Sequence, residues 1–385
     1  MKYLNIQNTE LKAKGAFETA REIEGQPDLW LKIFEKLASE NDAITKFLDM
    51  TLSKVRKILL TGAGTSAYIG CSVEGAMQRN TGITTLSVPT THLVSHPQDY
   101  FEYATPMLLV SFARSGNSPE SVAAVKLADK HCKKCFHLII TCNEDGDLAN
   151  YDQNNNVHVF LLPPDSNDKS LAMTGSYSGM LLSALLMSDY KNISNLGPTI
   201  NTLSKYGKEI LSEKLNQIQD IGQLPFKRAV FLGSGPQYGT AMESSLKLQE
   251  LSDGAIVCKN DSYLGFRHGP KAVVDEETLV VYYFSNVESV LRYEIDLVNG
   301  MVEGKKPLRG VGISVKTIDS ANIDELILLD TASKLVEIEE QYLPVVMVML
   351  GQLIGFYKSL SLGLEPDSPS TTGAISRVVK GVNIY

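Results

Sequence analysis

An internal repeat restricts the possible folds of this 385-residue chain more than any other feature. The run KILLTGAG at 57–64 has a counterpart, RAVFLGSG, at 228–235, and the glycines of the two runs are 171 positions apart. The same displacement relates the apolar segment 108–110 to 279–281 and 157–162 to the residues around Leu328, and it brings 137–141 nearly into register with 310–314. Four strand-like segments that recur with almost no drift indicate two copies of one α/β unit, produced by gene duplication.

Short apolar runs alternate with longer helical stretches in each copy, most clearly at 118–134 and 237–253. This alternation predicts an α/β fold with two tandem domains, each a doubly wound parallel sheet covered by helices on both faces. An amphipathic pattern at 29–54 predicts a helix before the first sheet. The expected organisation is an N-terminal helical segment at 1–54, a first sheet domain at 55–198, a connecting helix at 199–225, a second sheet domain at 226–365 and a C-terminal tail at 366–385.

Composition narrows the function and the cellular location. The formal net charge is −8 and no basic stripe is visible, so we expect no nucleic-acid partner, whereas a small anionic ligand remains compatible with a local positive site. The chain shows no uninterrupted apolar run of about 18 residues and no signal-peptide pattern, so we expect no membrane partner. Five scattered cysteines favour a reducing compartment, and the expected location is cytoplasmic.

One cysteine-rich segment could bind a metal or act in redox chemistry. His131, Cys132, Cys135 and His137 lie close together in sequence, where a predicted helix runs into a predicted strand. A structural zinc site needs a second Cys/His pair at a suitable distance, and none is present. We therefore favour plain reduced thiols, and expect neither a metal nor a cofactor.

A glycine-rich loop follows the first predicted strand. It reads GAGTS at 62–66 and runs directly into a helix, so backbone N–H groups and the hydroxyls of Thr65 and Ser66 could bind a phosphate. Ala67 completes a dinucleotide-type G-x-G-x-x-A pattern, but the strand at 83–88 is not followed by the acidic residue that would bind a ribose. A purely structural turn is the remaining alternative.

A second hydroxyl-rich loop, SFARSGNSPES at 111–121, follows another predicted strand. Ser118 before Pro119 is a good helix N-cap, so a capped helix alone would explain part of it. Arg114 and Ser115, however, supply a guanidinium and a hydroxyl suited to a phosphate. Since the corresponding loops of the second copy lack most of these donors, we expect the first copy to bind phosphate and the second to contribute something else.

The second copy offers acid–base groups. Glu243, Lys247 and Glu250 are spaced to share one helix face, which could be a solvated ion-pair ladder or a reactive site. His268, within RHGP, could be an ordinary surface histidine or a proton-transfer group. Lys380 by itself is a basic residue of the tail.

Taken in order, these motifs resemble the SIS (sugar isomerase) family, from about residue 29 to the end of the chain. The matching motifs are GAGTS, ARSGNS, ESSLKLQELS, RHGP and the tail lysine Lys380. SFARSGNSPES together with SDGAIVCKNDSYLGFRHGPKAVV is similar to the AgaS branch. Members of that branch are called galactosamine-6-phosphate deaminase/isomerase or, in older usage, tagatose-6-phosphate ketose/aldose isomerase. The resemblance implies two flavodoxin-like SIS domains.

The resemblance also implies roles for individual residues. It implies that the sugar phosphate is bound by Thr65, Ser66, Ser115 and Ser118. It makes Glu250 the enediol base with Lys247 one turn before it, makes His268 the ring-opening histidine supplied by a neighbouring subunit, and lets Lys380 reach the open-chain sugar. Double-domain relatives that make amino sugars have a serine and a glutamine where this chain has Ala113 and Arg114, so one hydroxyl is lost and a guanidinium gained.

We therefore expect an enzyme that deaminates and isomerises galactosamine 6-phosphate to tagatose 6-phosphate, as a homodimer or homotetramer. The amino-sugar synthase of the family carries a glutaminase with a cysteine after the initiator methionine. Lys2 follows Met1 here, which favours the deamination direction. The alternatives are a simple aldose–ketose isomerase, a non-catalytic phosphosugar-binding regulator and, more distantly, a dinucleotide-dependent oxidoreductase.

Overall fold

The computed structural model describes residues 1–151, 156–329, 336–378 and 381–385. The chain forms two compact units, each assembled from segments distant in sequence. The first unit comprises Asp28–Asp168, Gly175–Ile200 and Arg377–Tyr385. The second unit comprises Met1–Pro27, Lys169–Thr174 and Asn201–Ser376.

The strands and helices alternate along most of the chain. The strands are β1 Lys2–Tyr3, β2 Ile6–Gln7, β3 Lys57–Thr61, β4 Thr84–Ser87, β5 Met107–Ala113, β6 Cys135–Thr141, β7 Val157–Leu161, β8 Arg228–Gly233, β9 Val257–Asp261, β10 Thr278–Tyr283, β11 Arg309–Ser314 and β12 Glu325–Leu328. The helices are α1 Asn8–Ala13, α2 Phe17–Ser39, α3 Asn41–Leu52, α4 Thr65–Thr81, α5 Thr90–Ser95, α6 Pro119–His131, α7 Gly175–Ser188, α8 Gly197–Glu209, α9 Leu215–Gln223, α10 Pro236–Leu251, α11 Tyr263–Phe266, α12 Glu288–Gly300 and α13 Leu343–Ser361.

Each unit is built on a five-stranded sheet whose strands all run parallel. The first sheet has the order β4-β3-β5-β6-β7, and the second has the corresponding order β9-β8-β10-β11-β12. β5 and β6 are buried along their whole length, as expected for central parallel strands covered on both faces. The predicted α/β fold with two parallel sheets is confirmed.

Some helices lie close to the positions that the sequence pattern predicts, and others differ from them. The stretch expected at 118–134 is α6, and the stretch expected at 237–253 is α10. The single helix expected at 29–54 is instead two helices, because α2 starts earlier and ends at Ser39 while α3 begins at Asn41. The connecting helix is interrupted by a π-helical turn, Ile210–Lys214, between α8 and α9.

Helix α13 is the most apolar helix of the second unit. By length and composition, the segment Glu340–Ser361 is apolar enough to cross a membrane, although polar residues interrupt it. However, 94% of its most apolar 18-residue stretch is buried inside the protein. At Gly351 an added Cβ would lie 2.2 Å from the Ser244 Oγ of α10, so the two helices are in close contact. The apolar composition of α13 is therefore explained by its place in the core.

Candidate functional site

The carboxyl end of β3 forms a tight turn into helix α4. Gly64 has φ of 56°, and a Cβ at Gly62 would lie 2.5 Å from the backbone of Ser66, so both positions require glycine. Thr65 and Ser66 open the helix and are almost fully buried. The turn therefore places two hydroxyl residues and a helix N-terminus at the edge of the first sheet where ligands of parallel sheets bind.

The second hydroxyl-rich loop lies at the same edge, because β5 pairs with β3 and Thr61 is opposite Ser111. A neighbouring loop supports it. Asn143 Nδ2 donates to the Ser115 carbonyl at 2.9 Å, and the Asp147 N–H donates to Asn117 Oδ1 at 2.8 Å. The structure thus brings the two predicted phosphate loops to adjacent strand ends.

Ser118 occupies the N-cap of α6, as its sequence context predicts. Its hydroxyl makes no capping hydrogen bond to the first turn, all of which lies in the described part of the chain. The hydroxyl is half-buried and is therefore compatible with a role in ligand binding.

Arg114 is buried at this edge, with 7% of the residue exposed. Its Nη2 donates a hydrogen bond to the main-chain carbonyl of Arg377, in the C-terminal tail. Burial raises the pKa of the nearby Cys142 thiol to about 12, and the guanidinium groups of Arg114 and Arg377 oppose this effect. The guanidinium expected to bind phosphate is thus also a contact for the C-terminal tail.

Helix α10 of the second unit carries the predicted acid–base face. Lys247 Nζ lies 3.6 Å from Glu243 Oε1 and donates to Glu250 Oε2. The side chains of Glu243 and Lys247 are 0% and 1% exposed, whereas Glu250 is 22% exposed. The shared face is confirmed, and the solvated-ladder interpretation is wrong because two of the three groups are buried. The arrangement holds one carboxylate, that of Glu250, at a partly exposed position by means of a buried ammonium.

His268 lies in the same unit, on the turn that follows α11, and is exposed. Gly269 beside it has φ of 117°, a backbone conformation that residues other than glycine rarely adopt. Within the described residues, the imidazole makes no hydrogen bond or ion pair with Lys247 or Glu250. Lys380 falls outside the described residues.

The carboxyl edge of the second sheet holds carboxylates that sequence analysis did not single out. The Ser285 N–H donates to Glu294 Oε2 at 2.8 Å, and the Ser285 hydroxyl donates to Glu340. Glu294 is fully buried on α12. Burial raises its pKa to about 7, with a smaller contribution from Glu340 and against hydrogen bonds from Ser285 and Ser234. The feature of the sequence that could have indicated a buried Glu294 is its position among the apolar residues of an amphipathic helix.

We expect the stability of the protein to depend on Glu294 between pH 5 and pH 8. Because the pKa in the folded state lies above its ordinary value, this group favours folding most below pH about 4.5, and the contribution is lost as the pH rises through about 7. The loss amounts to about 3 kcal/mol at most. Glu294→Gln should therefore raise the melting temperature at pH 8 more than at pH 5. The control Glu288→Gln, on the exposed face of α12, should leave the melting temperature unchanged at both pH values. Equal effects of Glu294→Gln at the two pH values would contradict the assignment.

The two thiols of the cysteine-rich segment are buried. Burial raises the pKa of the Cys132 thiol to about 11 and that of Cys135 well above its ordinary range, so neither is a ready thiolate. His137 Nε2 lies 2.9 Å from Asp129 Oδ1. Among the described residues, no group of three or more His, Cys, Asp or Glu side chains is placed to hold a metal ion.

Comparison with known proteins gives consistent matches over nearly the whole chain. A model of the SIS domain family matches residues 51–188. D-galactosamine-6-phosphate deaminase AgaS of Escherichia coli is 38% identical over 370 residues, which cover 95% of this chain and 95% of that protein.

Two solved structures are similar over almost the full length. One, from Clostridium novyi NT and described provisionally as a tagatose-6-phosphate ketose/aldose isomerase, has a TM-score of 0.96 and 39% identity over 100% of this chain and 99% of the other. The second is the tagatose-6-phosphate ketose/aldose isomerase from Escherichia coli, with a TM-score of 0.87 and 36% identity over 96% of each chain. The likeness therefore extends over both sheets.

Proposed function

The chain belongs to the SIS domain family, and from that premise we propose that it is a deaminase of an amino-sugar phosphate. Its reaction is the conversion of D-galactosamine 6-phosphate and water to D-tagatose 6-phosphate and ammonium. The observation that carries this proposal is the group on α10, where a buried Lys247 holds the carboxylate of Glu250 at a partly exposed position. Proton transfer next to a carbonyl needs a carboxylate held in this way. A full-length relative bears the name of the same activity.

Phosphate binding falls to the hydroxyl groups at the carboxyl edge of the first sheet. Thr65 and Ser66 at the start of α4, and Ser115 and Ser118 before α6, are short donors beside helix N-termini. A phosphate is remote from the reacting carbons of the sugar. Its binding energy therefore orients the substrate for a reaction at C1 and C2.

The chemistry proceeds through an open-chain sugar. His268 exchanges protons with the ring oxygen and the anomeric hydroxyl, which opens the ring and exposes the C1 aldehyde. Glu250 takes the proton from C2, and the electron pair of that C–H bond forms the double bond of a 1,2-enolamine as the carbonyl oxygen is protonated. Lys380 and Lys247 are the two ammonium groups available to stabilise the developing negative charge on that oxygen.

Hydrolysis then removes the nitrogen. A proton is returned to C1, which converts the enolamine into an iminium ion at C2. Water adds to C2, the C2–N bond breaks with its electron pair leaving on nitrogen, and the products are the 2-ketose phosphate and ammonium. The steps need one water and no metal or redox cofactor.

A simple isomerase of tagatose 6-phosphate is the second candidate. The Escherichia coli protein that resembles this chain over 96% of its length is named for that activity. An aldose–ketose isomerase uses the same base and the same ring-opening group on a substrate that bears a hydroxyl at C2. The two candidates therefore differ in one observable, the release of ammonia.

We further infer the biological setting of the enzyme. The matching strand order of the two sheets supports an origin by gene duplication. We propose that the enzyme works in the cytoplasm as a homodimer or homotetramer, with His268 acting on the substrate of the neighbouring subunit. Its exposed position on a turn supports such a role. Its partner is a small sugar phosphate and neither a nucleic acid nor a membrane.

The proposal is tested by incubating the purified protein with galactosamine 6-phosphate and assaying ammonia and ketose phosphate together. We expect equal amounts of both, and a lower rate with glucosamine 6-phosphate as the C4-epimer control. Interconversion of tagatose 6-phosphate with its aldose, without ammonia from either amino sugar, would favour the isomerase. Tight binding of the sugar phosphates without any turnover would favour a phosphosugar-binding regulator.

A further inference from the structure

The C-terminal tail is attached to the first unit from two sides at Arg377. Its guanidinium donates from Nε and Nη2 to the Asp168 carbonyl at 2.8 and 2.6 Å, and from Nη2 to Asn167 Oδ1 at 2.9 Å. In the other direction, its main-chain carbonyl accepts a hydrogen bond from the guanidinium of Arg114. We refer to these four residues as the tail anchor.

The residues that receive the tail are themselves held in place. The Asp168 carboxylate is fully buried and accepts hydrogen bonds from the N–H groups of Gly175 and Ser176, at 3.1 and 3.0 Å, and from the Ser176 hydroxyl at 2.5 Å. These contacts fix Asp168 to the first turn of α7. Its carbonyl is therefore a rigid point of attachment for Arg377.

Arg114 gives the anchor its connection to the phosphate loops. It follows β5 directly and is succeeded by Ser115, so it belongs to the same loop as the proposed phosphate donors. It is buried, and a guanidinium that donates to a main-chain carbonyl forms a strong, directional hydrogen bond. The guanidinium of Arg114 thus has an observed partner in the tail.

We propose that Arg114 is a positioning residue that holds the C-terminal tail at Arg377, and that the hydroxyl groups around it bind the phosphate without it. The functional consequence rests on the proposed function, in which Lys380, three positions after Arg377, acts on the open-chain sugar. Loss of the anchor should then lower turnover and leave phosphate affinity unchanged. If Arg114 instead bound phosphate directly, its removal would weaken phosphate affinity before anything else.

The test compares Arg114→Gln, Arg377→Gln and the double variant in the full-length protein. We expect each single variant to reduce kcat at least tenfold while the inhibition constant of inorganic phosphate changes less than twofold. The double variant should be no worse than the poorer single variant, because both substitutions release the same segment. Arg292→Gln, an exposed arginine paired with Glu288, is the matched control and should change nothing. A tenfold rise in the phosphate inhibition constant for Arg114→Gln alone would overturn the proposal.

A second measurement does not depend on the activity. Hydrogen exchange, followed by mass spectrometry, should show faster deuterium uptake in the peptide 374–385 of both single variants, with unchanged uptake in α7. Unchanged uptake in this tail peptide in Arg114→Gln would also overturn the proposal, even in a well-folded protein. If the wild-type protein turns over no amino sugar, the proposed function fails, while the exchange result still decides whether Arg114 holds the tail.

Discussion

Glu250→Gln should lower kcat for galactosamine 6-phosphate at least a hundredfold and leave phosphate binding intact. Glutamine keeps the shape of the side chain and a hydrogen-bond acceptor for Lys247, but it cannot take a proton from C2. General base catalysis contributes about 10²–10⁴-fold in enzymes, and Glu250 is the partly exposed carboxylate that Lys247 contacts on this helix face. Steady-state kinetics and the inhibition constant of inorganic phosphate measure the two quantities separately.

A substitution one position away provides the control for this variant. Gln249 is exposed on α10, and Gln249→Ala leaves the buried face of the helix unchanged. It should retain kcat within about twofold, since surface substitutions of this kind perturb stability and structure little. Turnover by Glu250→Gln at more than a tenth of the wild-type rate would mean that another group is the base.

Lys247→Met should destabilise the second unit strongly. Glu243 is fully buried and Lys247 lies 3.6 Å from it, so methionine would remove the cation beside a buried carboxylate. Removing one partner of a buried ion pair costs about 3–5 kcal/mol, which is a large fraction of the stability of a typical domain. Urea unfolding of the variant should show this loss in the free energy of unfolding, together with lower activity, because Glu250 also loses its donor.

The paired substitution separates charge from packing. In the double variant Glu243→Gln, Lys247→Met, no buried carboxylate is left without its cation, and we expect at least half of the lost stability to return. Lys14→Met removes an ion pair with Glu10 in which both side chains are half exposed, and it should cost less than about 1 kcal/mol. A loss below 1 kcal/mol for Lys247→Met, or a double variant no more stable than the single one, would show that the buried pair is not coupled as the structure indicates.

The fold could be predicted from the sequence because its determinants are local and repeated. Apolar runs such as β5 and β6 are buried along their whole length, which is why they read as continuous rather than alternating. The boundary between α2 and α3 could not be predicted in the same way. No glycine or proline marks Glu40, and Pro27 lies within α2 rather than at its end, so local signals point to the wrong place.

The candidate site was predictable in its residue types but not in its environment. Spacing places Glu243, Lys247 and Glu250 on one face of α10, yet a solvated and a buried face have the same spacing. Burial decides between them, and it depends on α13, about a hundred positions later in the chain. The contact between Arg114 and Arg377 joins residues 263 positions apart, and no local pattern contains that information.

The most direct test of the deaminase assignment is nuclear magnetic resonance of galactosamine 6-phosphate labelled with ¹³C at C2 and ¹⁵N on the amine, incubated with the enzyme in D₂O. We predict that the ¹³C–¹⁵N coupling disappears, that ¹⁵N-ammonium appears in equal amount to tagatose 6-phosphate, and that deuterium enters C1 of this product. The same sample with Glu250→Gln should show none of these changes. A ¹³C–¹⁵N bond that stays intact with the wild-type enzyme would contradict the deaminase assignment.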